Sequence, residues 1–407
     1  MTSTDFDFAK AIAPIQVDTF FDEYWEKRPL VVSRQTPDYY TNLLTMADID
    51  LIIYSLGPDW KTLRLVKQGG FFAHNFMHPD GSANIVQLYN AYEQGYSIIL
   101  LDLHKRWMPL SAFARELECF LNHPVGINLY LTPKNSQAFV PHFDDHDVLI
   151  LQIEGTKNWR IYEPIVELPN KEFAGGEQSL PKEQLPPVVA DICLAPGDML
   201  YLPRGYGHNV STSNCSSLHL TVGIFIYTWS DLLSGMLRSL SKQDVAFRRA
   251  LPPGFIRDSQ IKNSLEAQFQ EILQYLATQA KLESGIEKLT DSLLENMKNP
   301  LPDGYFRRID HLSKINLETI VQKRKGTIFR IVTSENSLTV KYLSTKIEMS
   351  QKFAAALDYI NTNSKFTIKE LPLLNDDAKL ELVQRMIGSG ILTIVEERTV
   401  KDSGGWS

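Results

Sequence analysis

At 407 residues with a formal net charge of −7, the chain exceeds one ordinary hydrophobic core and is too acidic to coat nucleic acid or an anionic membrane surface. Hydrophobic residues make up 43% and charged residues 22%, the balance of a folded globular protein rather than of a disordered one. Its three cysteines, Cys119, Cys193 and Cys215, show no C-x-x-C spacing and speak against a disulfide framework or a cysteine zinc site. Acidic Asp5 and Asp7 stand where a secretory leader needs base, and no apolar run is long enough to cross a bilayer. A cytoplasmic location without membrane contact is expected.

The first 60 residues mix helical patches with Tyr24–Val32, in which the apolar run after Pro29 reads as a short strand. Phe21 and Trp25 lie four apart, and core packing explains them. A helix or turn around Gln87–Tyr89 precedes the buried strand Ser97–Leu101. From Val125 to Trp229 the character turns to β: Gly126–Leu131, Val148–Ile153, Trp159–Tyr162, Met199–Leu202 and Leu218–Phe225 are short strands. Turn signals such as Glu154-Gly155 and Ala195-Pro196-Gly197-Asp198 separate them. Such spacing predicts a sandwich or barrel, with the insert 164–187 as a surface loop.

After Trp229 the pattern is helical, with stripes through Leu232, Leu233, Met236 and Leu240, then Leu265 to Leu276, then Ile286 to Leu294. Their wide apolar faces need a partner, and a homodimer is expected. The last hundred residues carry strands at Gly326–Val332 and Ser337–Tyr342, a helix with Phe353, Leu357 and Ile360, and a second helix capped at Asn375–Asp377. A strand at Ile391–Val395 follows. Helix, helix and strand suggest a winged-helix shape, without the basic surplus of a DNA reader.

The chemistry centres on Pro141–Tyr162. In a strand, residues i and i+2 share a face, so His142 and Asp144 can converge on one cation. An H-x-D triplet alone is a weak signal, since nine histidines in an acidic chain yield about one by chance. His78-Pro79-Asp80-Gly81 is such a triplet, and its Pro and Gly make it a turn. His142-Phe143-Asp144 differs because an apolar strand follows at once, whereas the bland alternative is a solvated acidic loop. His146 shares the parity of His142 and could be a ligand instead, but it lacks an acid at i+2 and reads as a neighbour of the site.

A third ligand is sought downstream. His208, after the strand and glycine turn of Met199–Gly207, ranks ahead of His219, which could equally be a packed strand histidine. Two imidazoles and one carboxylate on one face of a metal, with positions left open, is the arrangement of non-heme Fe(II) oxygenases. Lys157 reads either as a solvated turn residue or as a cation that grips a carboxylate co-substrate. Asn128, Tyr130 and Thr221 alternate with apolar neighbours and could face the same space.

The run His142–Trp159 resembles the JmjC-type, cupin-like ribosomal oxygenases, Fe(II)- and 2-oxoglutarate-dependent protein hydroxylases. Asn128–Pro133, Pro196–Gly205 and Arg249–Gly254 resemble the family as well, so the likeness covers nearly the whole chain. It implies an α+β protein: a double-stranded β-helix (jelly-roll, JmjC/cupin) barrel with N-terminal additions over residues 1–229, a helical dimerisation region over 230–299 and a winged-helix domain over 300–407. It implies an iron triad of His142, Asp144 and His208, with 2-oxoglutarate held by Lys157, Asn128, Tyr130 and Thr221 and O2 as the second co-substrate. The implied reaction is hydroxylation of an arginine or histidine side chain of a ribosomal protein.

Two other readings stand beside it: a hydroxylase of a small biosynthetic peptide, and a non-enzymatic cupin-like binding or regulatory protein. Histone demethylation fits less well, because no histone-reading module is visible. Under either hydroxylase reading, Asp145, Asp147 and the insert could receive a basic substrate.

Overall fold

The computed structural model describes residues 6–55, 62–72, 76–80, 82–174, 178–179, 185–297, 299–302, 305–310, 312–334 and 337–395. They fall into two compact units, Met1–Leu233 and Ser234–Ser407.

The first unit opens with helices α1 (Phe8–Ile12) and α2 (Val17–Glu23), strand β1 (Leu30–Val32) and helix α3 (Ala47–Ser55). Strands β2 (Leu63–Lys67) and β3 (Gly70–Phe71), helix α4 (Ile85–Glu93), strand β4 (Ser97–Leu100) and helix α5 (Met108–Leu121) follow. The β-rich tract comprises β5 (Val125–Thr132), β6 (His142–Phe143), β7 (Asp147–Gly155), β8 (Lys157–Pro164), β9 (Gln178–Ser179), β10 (Val188–Leu194), β11 (Met199–Leu202), β12 (Tyr206–Ser211) and β13 (Ser217–Ile224).

These strands make an eight-stranded sheet, ordered β1-β11-β7-β13-β5-β4-β2-β3, and a five-stranded sheet, ordered β10-β8-β12-β6-β9. Strands consecutive in sequence change sheet at β5 to β6, β6 to β7, β7 to β8, β10 to β11, β11 to β12 and β12 to β13. That alternation is the winding of a jelly roll.

The larger sheet is covered on both faces, which is why Val148–Leu151 of β7 reads as an apolar run instead of an alternating one. One set of alternate residues, including Ile127, Leu129, Leu149, Leu151 and Leu220, joins a core with Phe20 of α2 and Phe113 and Leu117 of α5. The other set points between the sheets, where Val148, Ile150 and Leu200 meet Trp159 and Ile161. Phe21 and Trp25 are packing residues, with ring centroids 5.5 Å apart.

The insert 164–187 is not wholly a loop. Its chain forms the short helix α6 (Lys171–Ala174), then β9, which pairs with β6 so that Ser179 lies opposite His142. Two residues of extended backbone carry no pattern by which a sequence could announce such a strand.

The second unit carries α7 (Trp229–Gln243, which begins in the first unit), α8 (Ser259–Gln279), α9 (Leu282–Asn296) and α10 (Tyr305–Ile309). Asp258 caps α8 through the Gln260 and Ile261 amides, and Asn375 caps α12 (Asp376–Gly388) through the Ala378 amide. Strands β15 (Phe329–Thr333), β16 (Leu338–Tyr342) and β17 (Thr345–Met349) form one antiparallel sheet. Helix α9 is tied to it by Asp291, which meets Arg330 at 2.9 Å and Lys341 at 2.6 Å. A second sheet joins β14 (Ile320–Lys323) to β18 (Lys365–Thr367) and β19 (Leu392–Ile394), beside α12 and α11 (Ala354–Thr362). Among the described residues no helix is long and apolar enough to cross a membrane, and Cys119, Cys193 and Cys215 are free thiols.

Candidate metal centre and co-substrate cavity

Between the two sheets lies a cavity of about 220 Å³. His142 and His208 enter it as a cross-strand pair, because β6 and β12 run antiparallel with these two residues opposite each other. Their rings lie 4.3 Å apart between centroids. Asp144, just past the end of β6, completes the group. The ligating atoms of His142, Asp144 and His208 all lie within 4.8 Å of one another, the one such cluster among the described residues.

Each imidazole is aimed by its backbone. His142 Nδ1 lies 2.8 Å from the Val140 carbonyl and His208 Nδ1 lies 3.3 Å from the Tyr206 carbonyl. A proton on each Nδ1 donates to that carbonyl and leaves each Nε2 lone pair for a cation. Burial and then the charge of His142 push the His208 pKa down to about 4, so this imidazole is neutral, as a ligand must be. Burial pushes the Asp144 carboxyl up, but His146, His208 and His142 outweigh it and leave the group below its ordinary range, ionised. Two imidazole nitrogens and one carboxylate on one side of a shared point fit a divalent transition metal with open positions.

The segments bearing these groups are locked together. The Gly205 amide donates to the Asp144 carbonyl at 3.0 Å, and Gly205 takes φ +88 where a Cβ would meet the Val166 carbonyl oxygen at 1.9 Å. Only glycine fits there. Arg204 donates to Asp147 at 3.0 Å and pairs with Glu26 at 2.5 Å, while the Tyr201 hydroxyl donates to Asp147 at 2.5 Å. Burial pushes the Asp147 carboxyl up while Tyr201 and Arg204 pull it down, and Asp147 is a buried structural residue with both oxygens engaged. Asp145 accepts from His146 at 3.1 Å. These contacts correct the expectation that Asp145 and Asp147 await a basic substrate, since both face partners in the protein.

Lys157 opens β8 with its side chain in the cavity and only 3% of the residue exposed. Its Nζ donates to Thr132 Oγ1 at 2.7 Å. Burial with no carboxylate to offset it pushes the lysine pKa down to about 7. A buried amine of this kind gains from an arriving anion.

Asn128, Tyr130 and Thr221 line the same space. Asn128 and Thr221 are register partners on β5 and β13, and the Asn128 amide oxygen accepts from the Asp102 backbone at 3.0 Å. His219 also faces the cavity, its ring stacked on Tyr130 at 4.9 Å. Burial, aided by Lys157, holds His219 neutral, and its Nδ1 is buried with no hydrogen-bond partner. His146 lines the cavity without joining the triad.

The lining also holds Arg64, Phe139 and Trp159, which the sequence reading did not assign. Trp159 could have been found from its position two residues after Lys157 on one strand. Arg64 could not, because its strand was not read at all. The other H-x-D triplet is a turn: Asp80 accepts from the Ser82 amide at 2.9 Å and hydroxyl at 2.6 Å, outside any ligand group.

Sheet winding, triad and buried lysine define a JmjC-type domain. Residues 102–232 match the JmjC domain family, and the chain belongs to the JmjC-domain proteins. It is 31% identical over 319 residues to mouse ribosomal oxygenase 2, covering 72% of this chain and 64% of that one. It is 27% identical over 455 residues to zebrafish (Danio rerio) ribosomal oxygenase 1, covering 97% and 80%. The chain thus spans a little under two thirds of the mouse relative. Among solved structures, the Escherichia coli ribosomal oxygenase YcfD superposes with a TM-score of 0.53 at 17% identity, over 94% of this chain and 98% of that one. Another YcfD structure, with a TM-score of 0.52 at 16% identity and covering 94% and 99%, is a complex with cobalt and 2-oxoglutarate.

Proposed function

We propose that the protein is an Fe(II)- and 2-oxoglutarate-dependent oxygenase that hydroxylates an amino-acid side chain of a ribosomal protein. The observation that carries this reading is the convergence of His142, Asp144 and His208 within 4.8 Å in a cavity that also holds the buried amine of Lys157. His142, Asp144 and His208 would hold the iron. Bound iron, with 2-oxoglutarate and O2, supplies the oxidising power to place one oxygen atom on an unactivated C–H bond.

The remaining work falls to this chain's own residues. Lys157, protonated when the diacid arrives, pairs with its distal carboxylate, and Thr132 holds the amine in place. Asn128, Tyr130 and Thr221 contribute polar contacts along the cavity wall. Val148, Ile150 and Trp159 keep that end apolar, which strengthens the lysine–carboxylate pair. The helices of 230–299 serve as a dimerisation surface and residues 300–407 as a winged-helix domain, in a cytoplasmic homodimer.

The test is turnover. Purified protein with Fe(II), 2-oxoglutarate and a ribosomal extract should form succinate, and intact-mass comparison of ribosomal proteins from cells with and without the gene should show one added oxygen. An added oxygen on a small peptide alone would transfer the reading to a biosynthetic hydroxylase. Protein that binds no iron and turns over no 2-oxoglutarate would favour a non-enzymatic binding role.

A further inference from the structure

The cavity is short of free acid. Asp144 is the one carboxylate among its described lining residues, and the oxygenase reading, on which this inference rests, commits it to the metal. Neighbouring acids are engaged: Asp145 with His146, Asp147 with Tyr201 and Arg204, and Asp102 with Lys105 at 2.6 Å. A guanidinium or ammonium group drawn inside would lose its water and find no counter-charge.

The mouth, by contrast, carries a cation. Arg64 on β2 lies opposite Ile99 on β4, Ile99 opposite Tyr130 on β5, and Tyr130 opposite His219 on β13. All four side chains line the cavity, so they form one row running from exposed Arg64 to the buried His219. Arg64 forms no ion pair with a carboxylate among the described residues.

We infer that Arg64 is a specificity-determining residue that rejects a cationic target and pairs with an acidic residue of the substrate beside an uncharged target side chain. Three strand spacings of about 4.8 Å separate Arg64 from the strand of His219, and an extended peptide advances about 3.3 Å per residue. The acidic residue therefore lies within about four positions of the oxidised one. The arrangement admits an uncharged side chain and refuses a guanidinium or ammonium group.

The iron-loaded full chain is incubated with 2-oxoglutarate and a chymotryptic digest of a whole-cell extract, and oxidised peptides are sequenced by mass spectrometry. The wild type should place oxygen on uncharged side chains with Asp or Glu within about four positions. Arg64→Glu should cut those products at least tenfold and shift the flanking preference to Lys and Arg, whereas Arg64→Lys should keep the wild-type pattern. Arg64→Gln, which should lower the same products without the shift, covers a failure of the glutamate variant to fold. Oxygen on arginine or lysine, or products that Arg64→Glu and Arg64→Gln leave unchanged, would overturn the inference. If wild type forms no succinate above a digest-free control, the oxygenase reading itself falls, and this inference with it; that result is visible before any peptide is sequenced.

Discussion

Alternate residues of the same strands build the two faces of the larger sheet, and the faces differ in kind. Toward the helices, Ile127, Leu129, Leu149, Leu151 and Leu220 pack with no polar partner among them. Toward the smaller sheet, Asn128, Tyr130, His219 and Thr221 hold polar atoms around a cavity. One face stores stability, and the other gives some up by leaving His219 Nδ1 buried without a partner, a cost that a packed interior avoids. The lesson is that period-two alternation, usually read as inside against outside, here separates a packed interior from a working one.

The comparison breaks most sharply at the metal. His142→Ala or Asp144→Ala should abolish succinate formation, at least a thousandfold loss, with little change in melting temperature of the metal-free protein. A variant of either kind that keeps normal turnover would remove that residue from the triad. On the packed face, Leu129→Ala should do the reverse. Leu129 is fully buried, so its loss should cost about 2–5 kcal/mol of folding free energy by denaturant titration, while the folded fraction retains metal affinity.

Lys157→Ala should mainly weaken 2-oxoglutarate binding, raising its Kd roughly 10- to 100-fold by calorimetry with iron affinity nearly unchanged, as expected for removing one buried charge-assisted contact. The pH dependence sharpens the point. With the lysine pKa pushed down to about 7 by burial, the charged form that binds the diacid predominates below pH 7. Affinity should therefore fall roughly tenfold per pH unit above it. Stability of the ligand-free protein should move the other way. Between about 7 and the ordinary value of 10.5 the unfolded chain binds the extra proton, so rising pH favours the fold. Binding and stability that follow the same sign would contradict the assignment. At the small end, His78→Ala and Asp80→Ala should leave metal affinity unchanged, because that triplet is a surface turn.

Much of the site was legible because its signals are local. His142 and Asp144 are two residues apart before an apolar strand, and Lys157 follows one turn later. His208 was found as a residue delivered by a glycine turn, but its strand, β12, was not read. Tyr206–Ser211 lacks the apolar alternation that marks a strand, because its residues pair at a cavity rather than at a uniform core. Strand β2 was missed as well, and Arg64 with it. The role of Asp147 was also hidden: charge can be read from sequence, but the Arg204 guanidinium that pairs with it and the Tyr201 hydroxyl that donates to it lie more than 50 residues away.

The central claim is that His142 and Asp144, neighbours on one segment, share one ferrous ion with the distant His208 while Lys157 holds the diacid beside it. Anaerobic equilibrium dialysis against Fe(II), with and without 2-oxoglutarate, tests it most directly. One iron per chain, bound more tightly when 2-oxoglutarate is present and lost in His208→Ala, is the predicted result. Undiminished binding by His208→Ala, or iron that 2-oxoglutarate does not affect, would contradict it.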